Sequence, residues 1–193
     1  NLPANDFPDG VRYFEQGKRF FADDVAACDD CVIIHNNGIL GKPAKTYRFK
    51  ETGLWLVDSN EYYSSTTRKY LLYSNPVYLP GDLERMKKLE KEALYAALHL
   101  GKVLERIVIL PRFHSYSSCK GKPPKDCGAH VLTSFNSHFK VATFDANIGT
   151  ENYRENSFLL NPLVPNDILD SQSPLLLTNT TELSQLISQK HYS

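Results

Sequence analysis

A strand, a long amphipathic helix and a second strand follow one another in the middle of the chain. Residues 70–73 are aromatic and aliphatic and predict the first strand, which ends before Pro76. Asp82 is placed to cap a helix whose apolar residues recur every three or four positions as far as Gly101. Residues 106–110 predict the second strand. This order with short links is typical of α/β folds, so we predict a mostly parallel sheet with flanking helices.

Charge and hydropathy restrict the partners of the chain. Its 193 residues include 22 basic and 22 acidic side chains, so no net field favours a nucleic acid or an anionic membrane. The longest apolar runs, such as residues 107–110, are far too short to cross a bilayer. We therefore expect no nucleic-acid partner and no membrane insertion by this segment.

We divide the chain into residues 1–75, which hold the motif described below, and an α/β region of residues 76–193 packed on it.

Four cysteines fall into two close pairs, Cys28 with Cys31 and Cys119 with Cys127. Such pairs are compatible with disulfides, with free thiols or with a zinc site, and the spacing of the second pair fits a zinc knuckle poorly. We expect disulfides. One glycosylation sequon begins at Asn179 and is compatible with a secreted or lumenal protein.

Polar residues follow a short β-branched run near the N-terminus. Residues 32–34 predict a buried strand, and His35, Asn36 and Asn37 come directly after it. Ligand-binding groups of α/β proteins lie at such strand ends. Arg112 and His114 follow the strand at residues 106–110 in the same way, and we predict that they also bind substrate.

The remaining elements are predicted from shorter patterns. We expect helices over residues 11–24 and 45–57, a strand over 140–144, irregular chain over 153–165, and a strand followed by a helix over 175–189. Tyr62, Tyr63 and Tyr73 are expected to cover the edge of the sheet, although tyrosines can also stack on a sugar.

Several common chemistries have no motif in this chain. It lacks G-x-S-x-G, a phosphate-binding G-x-x-x-x-G-K, G-x-G-x-x-G and H-E-x-x-H, and nothing marks a cysteine as a nucleophile. The remaining candidate for a chemical site is His35 followed by Lys42 and Lys45. An imidazole can bind a divalent metal, and a lysine can neutralise phosphate oxygens, so together they suit a metal-bound diphosphate. Without further support, a turn histidine and two solvated lysines explain the pattern better.

The segment from His35 to Glu51, HNNGILGKPAKTYRFKE, adds that support because it resembles a known motif. It is similar to the His-Asn-Asn-Trp-Ile…Lys-x-Tyr-Arg-Phe segment of nucleotide-diphospho-sugar transferases, including plant cell-wall arabinosyl- and xylosyltransferases. It is also similar in plan to the His-Phe-x-Gly-x-x-Lys-Pro segment of glycogenin-like transferases. The resemblance implies that His35 is a ligand of Mn²⁺ and that Lys45, by the first pattern, or Lys42, by the second, contacts the diphosphate. Asn36 and Asn37 are then expected to bind substrate.

Two departures from the family pattern shape the expected function. Gly38 stands where the family has Trp, and no Asp-x-Asp precedes His35. We therefore expect this chain to be the C-terminal part of a longer, metal-dependent glycosyltransferase and to be inactive alone. The whole enzyme is expected to move a sugar from a nucleotide-diphosphate donor to a glycan or protein acceptor. We expect it in the Golgi or secretory-pathway lumen. The alternative is a non-catalytic glycan-binding or interaction module of a secreted protein.

Overall fold

A parallel sheet of three strands lies at the centre of the computed structural model, which describes residues 6–10, 13–14, 31–75, 82–114 and 132–170. The strands lie in the order β1 (Tyr70–Leu72), β2 (Ile107–Ile109) and β5 (Tyr153–Arg154). Leu71 is paired with Val108, and Ile109 is paired with Arg154. The predicted fold class, an α/β fold with a parallel sheet and flanking helices, is confirmed.

Helices and a small second sheet surround these strands. The second sheet pairs β3 (Phe113–His114) with β4 (Leu132–Thr133) in antiparallel order. The α-helices are α1 (Lys42–Glu51), α2 (Leu83–Leu104), α3 (Val141–Ile148) and α4 (Asn166–Asp170), and short 3₁₀ helices lie at Ser59–Glu61, Phe135–Ser137 and Phe158–Leu160. Within the described ranges, no helix is long and apolar enough to span a membrane.

The predicted β1–α2–β2 unit is confirmed, with one difference at the end of the helix. Asp82 caps α2 by accepting a hydrogen bond from the backbone N–H of Arg85 at 3.0 Å. Gly101 does not end the helix, which continues to Leu104. A Cβ atom at Gly101 would lie 2.6 Å from Cγ2 of Val108 and 2.8 Å from the carbonyl oxygen of Arg106. This glycine therefore allows β2 to pass close to the helix.

The strand predicted over residues 32–34 is wrong. Val32 and Ile33 are 67% and 61% exposed, and this segment forms only an isolated parallel bridge between Asp9 and His35. The backbone N–H groups of Val32 and Ile33 both donate to the carbonyl oxygen of Asp6. A β-branched run becomes a buried strand only where it joins a sheet whose faces are covered by other elements, and this segment is not a strand of either described sheet.

One prediction for the C-terminal half is wrong, and a second is wrong in part. The segment predicted as a strand over 140–144 is largely α3, because Val141 and Phe144 lie one turn apart and are buried on the same side of a helix that packs against α1. The segment predicted as irregular contains β5, whose residues Tyr153 and Arg154 are both buried. The helix over 45–57 is α1, which begins three residues earlier and ends at Glu51.

Apolar side chains from both halves of the chain share one core. Tyr47 of α1, Leu94 of α2, Val108 of β2 and Phe144 of α3 belong to one buried cluster. A second cluster contains Tyr63, Ile109, Phe158 and Val164. The core thus fixes α1, and the segment before it, against the sheet. The helix and strand predicted over 175–189, and nearly all of the helix predicted over 11–24, lie outside the described residues.

Candidate functional site

Asn36 and Asn37 attach the segment after His35 to α1 and to the N-terminal segment. The Asn36 amide donates to the carbonyl oxygen of Lys45 at 2.9 Å, and the Arg48 guanidinium donates to the carbonyl oxygen of Asn37 at 2.9 Å. The side-chain oxygen of Asn37 accepts from the backbone N–H of Gly10 at 2.5 Å. These side chains make internal hydrogen bonds, which gives them a structural role in holding this turn in place.

His35 occupies an exposed position at the start of this turn. Its backbone N–H donates to the carbonyl oxygen of Pro8 at 3.1 Å, and its carbonyl oxygen accepts from the N–H of Asn37 at 2.8 Å. Among the described residues, no three His, Cys, Asp or Glu side chains lie close enough together to hold a metal. His35 is thus one possible ligand, and this part of the chain does not supply a full donor set.

Lys42 and Lys45 lie together at the start of α1. The two lysines line a cavity of about 450 Å³ with Gly41, Thr46, Phe49 and Trp55. Gly41 precedes the helix with a φ of 87°, a backbone conformation that glycine adopts without steric cost, and as the N-cap residue it supplies no side-chain hydrogen bond to the first turn. The first turn contains no acidic residue, and the N-terminal end of a helix attracts anions. The structure therefore brings the two predicted phosphate-binding lysines into one cavity.

Arg112 and His114 lie in a different group, at the carboxyl ends of β1 and β2. Glu90 of α2 is 1% exposed and accepts hydrogen bonds from Nδ1 of His114 at 2.6 Å and from the Asn75 amide at 3.0 Å. The same amide also donates to the carbonyl oxygen of Arg112 at 2.5 Å. Among the described residues that line the cavity at α1, neither Arg112 nor His114 is found.

Burial shifts the pKa values in this second group. It raises the pKa of the Glu90 carboxyl, and the hydrogen bonds from His114 act against the rise. Burial also raises the pKa of Tyr73, and the charge of Glu90 adds to that rise. Within the described part of the chain, the buried side-chain oxygens of Tyr73 and Asn75 have no hydrogen-bond partner. Polar groups thus gather at the carboxyl ends of β1 and β2, and the binding of substrate by Arg112 and His114 stays a prediction.

Sequence reasoning missed a buried charged network that packs beneath α1. Glu155 is 0% exposed and accepts from the hydroxyls of Tyr62 and Tyr63, each at 2.7 Å. The Arg154 guanidinium lies 4.0 Å from the Tyr62 ring centroid and donates to the carbonyl oxygen of Tyr153 at 2.7 Å. Adjacent charges such as Arg154 and Glu155 in a polar stretch normally predict a solvated loop. The network is therefore recognised only once the pairing of β5 with β2 is known. Because Tyr63 is fully buried, its ring is not available to stack on a glycan.

The cysteines and the glycosylation sequon are only partly described. Of the four cysteines, Cys31 lies within the described residues. Cys28, Cys119 and Cys127 lie outside the described residues, as does Asn179. The pairing of the cysteines and the modification of Asn179 therefore stay predictions.

Comparison with known proteins adds no relative. The chain matches no family model, no curated protein and no solved structure. The motif of residues 35–51 and the geometry of the cavity at α1 are therefore the features that indicate its function.

Proposed function

We propose that the chain is the C-terminal part of a metal-dependent glycosyltransferase that uses a nucleotide-diphosphate sugar and passes the sugar to a glycan or protein acceptor. The observation that carries the proposal is the position of Lys42 and Lys45 in one cavity at the N-terminal end of α1. A departing nucleoside diphosphate carries negative charge that ammonium groups and a helix N-terminus stabilise. The similarity of residues 35–51 to a segment of nucleotide-diphospho-sugar transferases also supports a nucleoside diphosphate as the bound group.

Each residue of the motif has a defined role in this proposal. Lys42 and Lys45 bind the diphosphate, and Asn36 holds the turn against α1 through its bond to the Lys45 carbonyl. His35 binds Mn²⁺, which supplies further charge stabilisation to the leaving group when bound. The other metal ligands come from outside the described residues, so no step of the reaction is assigned to the metal here. A lumenal setting is part of the proposal because it suits paired cysteines and a sequon.

Manganese-dependent hydrolysis of a nucleotide sugar by the full-length protein tests these roles. We expect His35→Ala and Lys45→Ala each to lower the rate by about 10²- to 10³-fold, the usual effect of removing one charge-stabilising group. His99→Ala and Lys88→Ala, which change exposed residues of α2, serve as matched controls and should retain the rate. Equal rates in His35→Ala, Lys45→Ala and the unsubstituted protein would remove both residues from the site.

A further inference from the structure

A second cavity, of about 250 Å³, adjoins the first along α1 and shares Lys42 and Thr46 with it. Its walls also include side chains from α3, from β5 and from the segment that contains Tyr62. Sites for drug-sized ligands usually enclose about 300–1,000 Å³, so this cavity suits a smaller ligand of monosaccharide size.

Lys50 contributes a positive charge to this cavity. Its Nζ atom lies 3.3 Å from the Tyr62 ring centroid. Lys50 takes part in none of the ion pairs within the described ranges. Burial lowers its pKa, the charges of Glu155 and Asp145 act against this change, and Arg154 adds to it. A partly desolvated ammonium over an aromatic ring is a favourable partner for an anionic group that enters from solvent.

Groups that bind hydroxyls lie around the same cavity. The Asp145 carboxylate accepts a hydrogen bond from the hydroxyl of Tyr153 at 2.5 Å. A carboxylate has two oxygens that together accept about four hydrogen bonds, so Asp145 can also accept from ligand hydroxyls. Thr150 contributes a hydroxyl to the wall. Two lysines, Lys42 and Lys50, and several hydroxyl-binding groups in a small cavity indicate an anionic, polyhydroxylated ligand.

We propose that this cavity binds an anionic monosaccharide, with Lys50 pairing to its carboxylate or phosphate and with Asp145 and Thr150 bonding to its hydroxyls. The inference stands apart from the glycosyltransferase proposal, because Lys50 and Asp145 do not line the diphosphate cavity among the described residues.

Calorimetric titration of the chain with glucuronate, glucose 6-phosphate and glucose tests the inference. We expect at least one of the two anionic sugars to bind at least about tenfold more tightly than glucose, since a charge-assisted hydrogen bond typically contributes at least that factor. The anionic sugar that binds with the higher affinity shows whether the cavity prefers a carboxylate or a phosphate. Equal affinity for glucose, or no binding of either anionic sugar, would overturn the inference. This comparison uses the unsubstituted chain and does not depend on whether a variant folds.

Variants of Lys50 locate the anionic group. Lys50→Met keeps the length of the side chain and should weaken binding of the anionic sugar about tenfold or more, whereas Lys50→Arg should retain its preference over glucose. Lys88→Met changes an exposed lysine of α2 and should leave the affinity unchanged. Unchanged affinity in Lys50→Met would place the ligand elsewhere. Titration of the same chain with a nucleoside diphosphate reports on the first cavity, so failure of this inference is distinguishable from failure of the proposed function.

Discussion

Glu51, at the end of α1, is a buried carboxyl whose protonation is coupled to folding. It accepts hydrogen bonds from the Ser134 hydroxyl at 2.6 Å and from the backbone N–H of Phe135 at 2.9 Å. Burial raises its pKa from 4.5 to about 7; the charge of Glu155 adds to the rise, while the two hydrogen bonds and Arg48 oppose it. Because the folded-state pKa is raised, the stabilisation from this group is complete below about pH 4.5 and is lost as the pH rises through about 7.

Glu51→Gln should therefore flatten the pH dependence of stability. A rise from 4.5 to about 7 corresponds to roughly 3 kcal/mol in the free energy of unfolding. Urea unfolding at several pH values from 4.5 to 8 measures the slope for the unsubstituted chain and for the variant. Glu92→Gln, at an exposed position on α2, should keep the slope of the unsubstituted chain. If Glu51→Gln shows that slope as well, Glu51 does not titrate in this range.

At the scale of elements, the contact between α2 and β2 depends on Gly101. Alanine is a better helix former than glycine by about 1 kcal/mol, which favours Gly101→Ala in an isolated helix. In this fold the new methyl group meets Val108 and the Arg106 carbonyl, so we expect a net loss of about 1–3 kcal/mol in the free energy of unfolding. Thermal and urea unfolding measure this loss. Lys102→Ala, at the next and exposed position, should change stability by less than about 0.5 kcal/mol. A more stable Gly101→Ala would contradict the close approach of β2.

The elements also show what the sequence can and cannot predict. The 22-residue helix α2 was predictable because its apolar period continues over six turns and Asp82 begins it. Helix α3 has only eight residues, and its β-branched and aromatic start favours a strand until packing against α1 is known. The strand β5 was not predicted because Arg154 is charged. Its guanidinium donates to the carbonyl oxygens of Tyr62, Thr150 and Tyr153, and it also lies over the rings of Tyr62 and Phe158.

For the whole molecule, residues far apart in sequence decide which predicted site residues meet. Lys42 and Lys45 were predictable as neighbours because they lie one turn apart on α1. The partners of His114 and Arg112 were not, since Glu90 reaches His114 from α2 and the Asn75 amide reaches the Arg112 carbonyl from the end of β1. The internal role of Asn36 likewise depends on the way in which the turn folds back onto α1.

The central claim is that the first turn of α1 binds a diphosphate. Titration of the chain with uridine and guanosine diphosphate in the presence of Mn²⁺ tests it most directly, with Lys42→Met/Lys45→Met as the variant. Lys88→Met/Lys102→Met removes two exposed lysines of α2 and keeps the same net charge as that variant. We predict binding of a diphosphate by the unsubstituted chain, a loss of about tenfold or more in the α1 variant, and unchanged affinity in the α2 variant. Equal affinities in all three proteins, or no binding of either diphosphate, would contradict the claim.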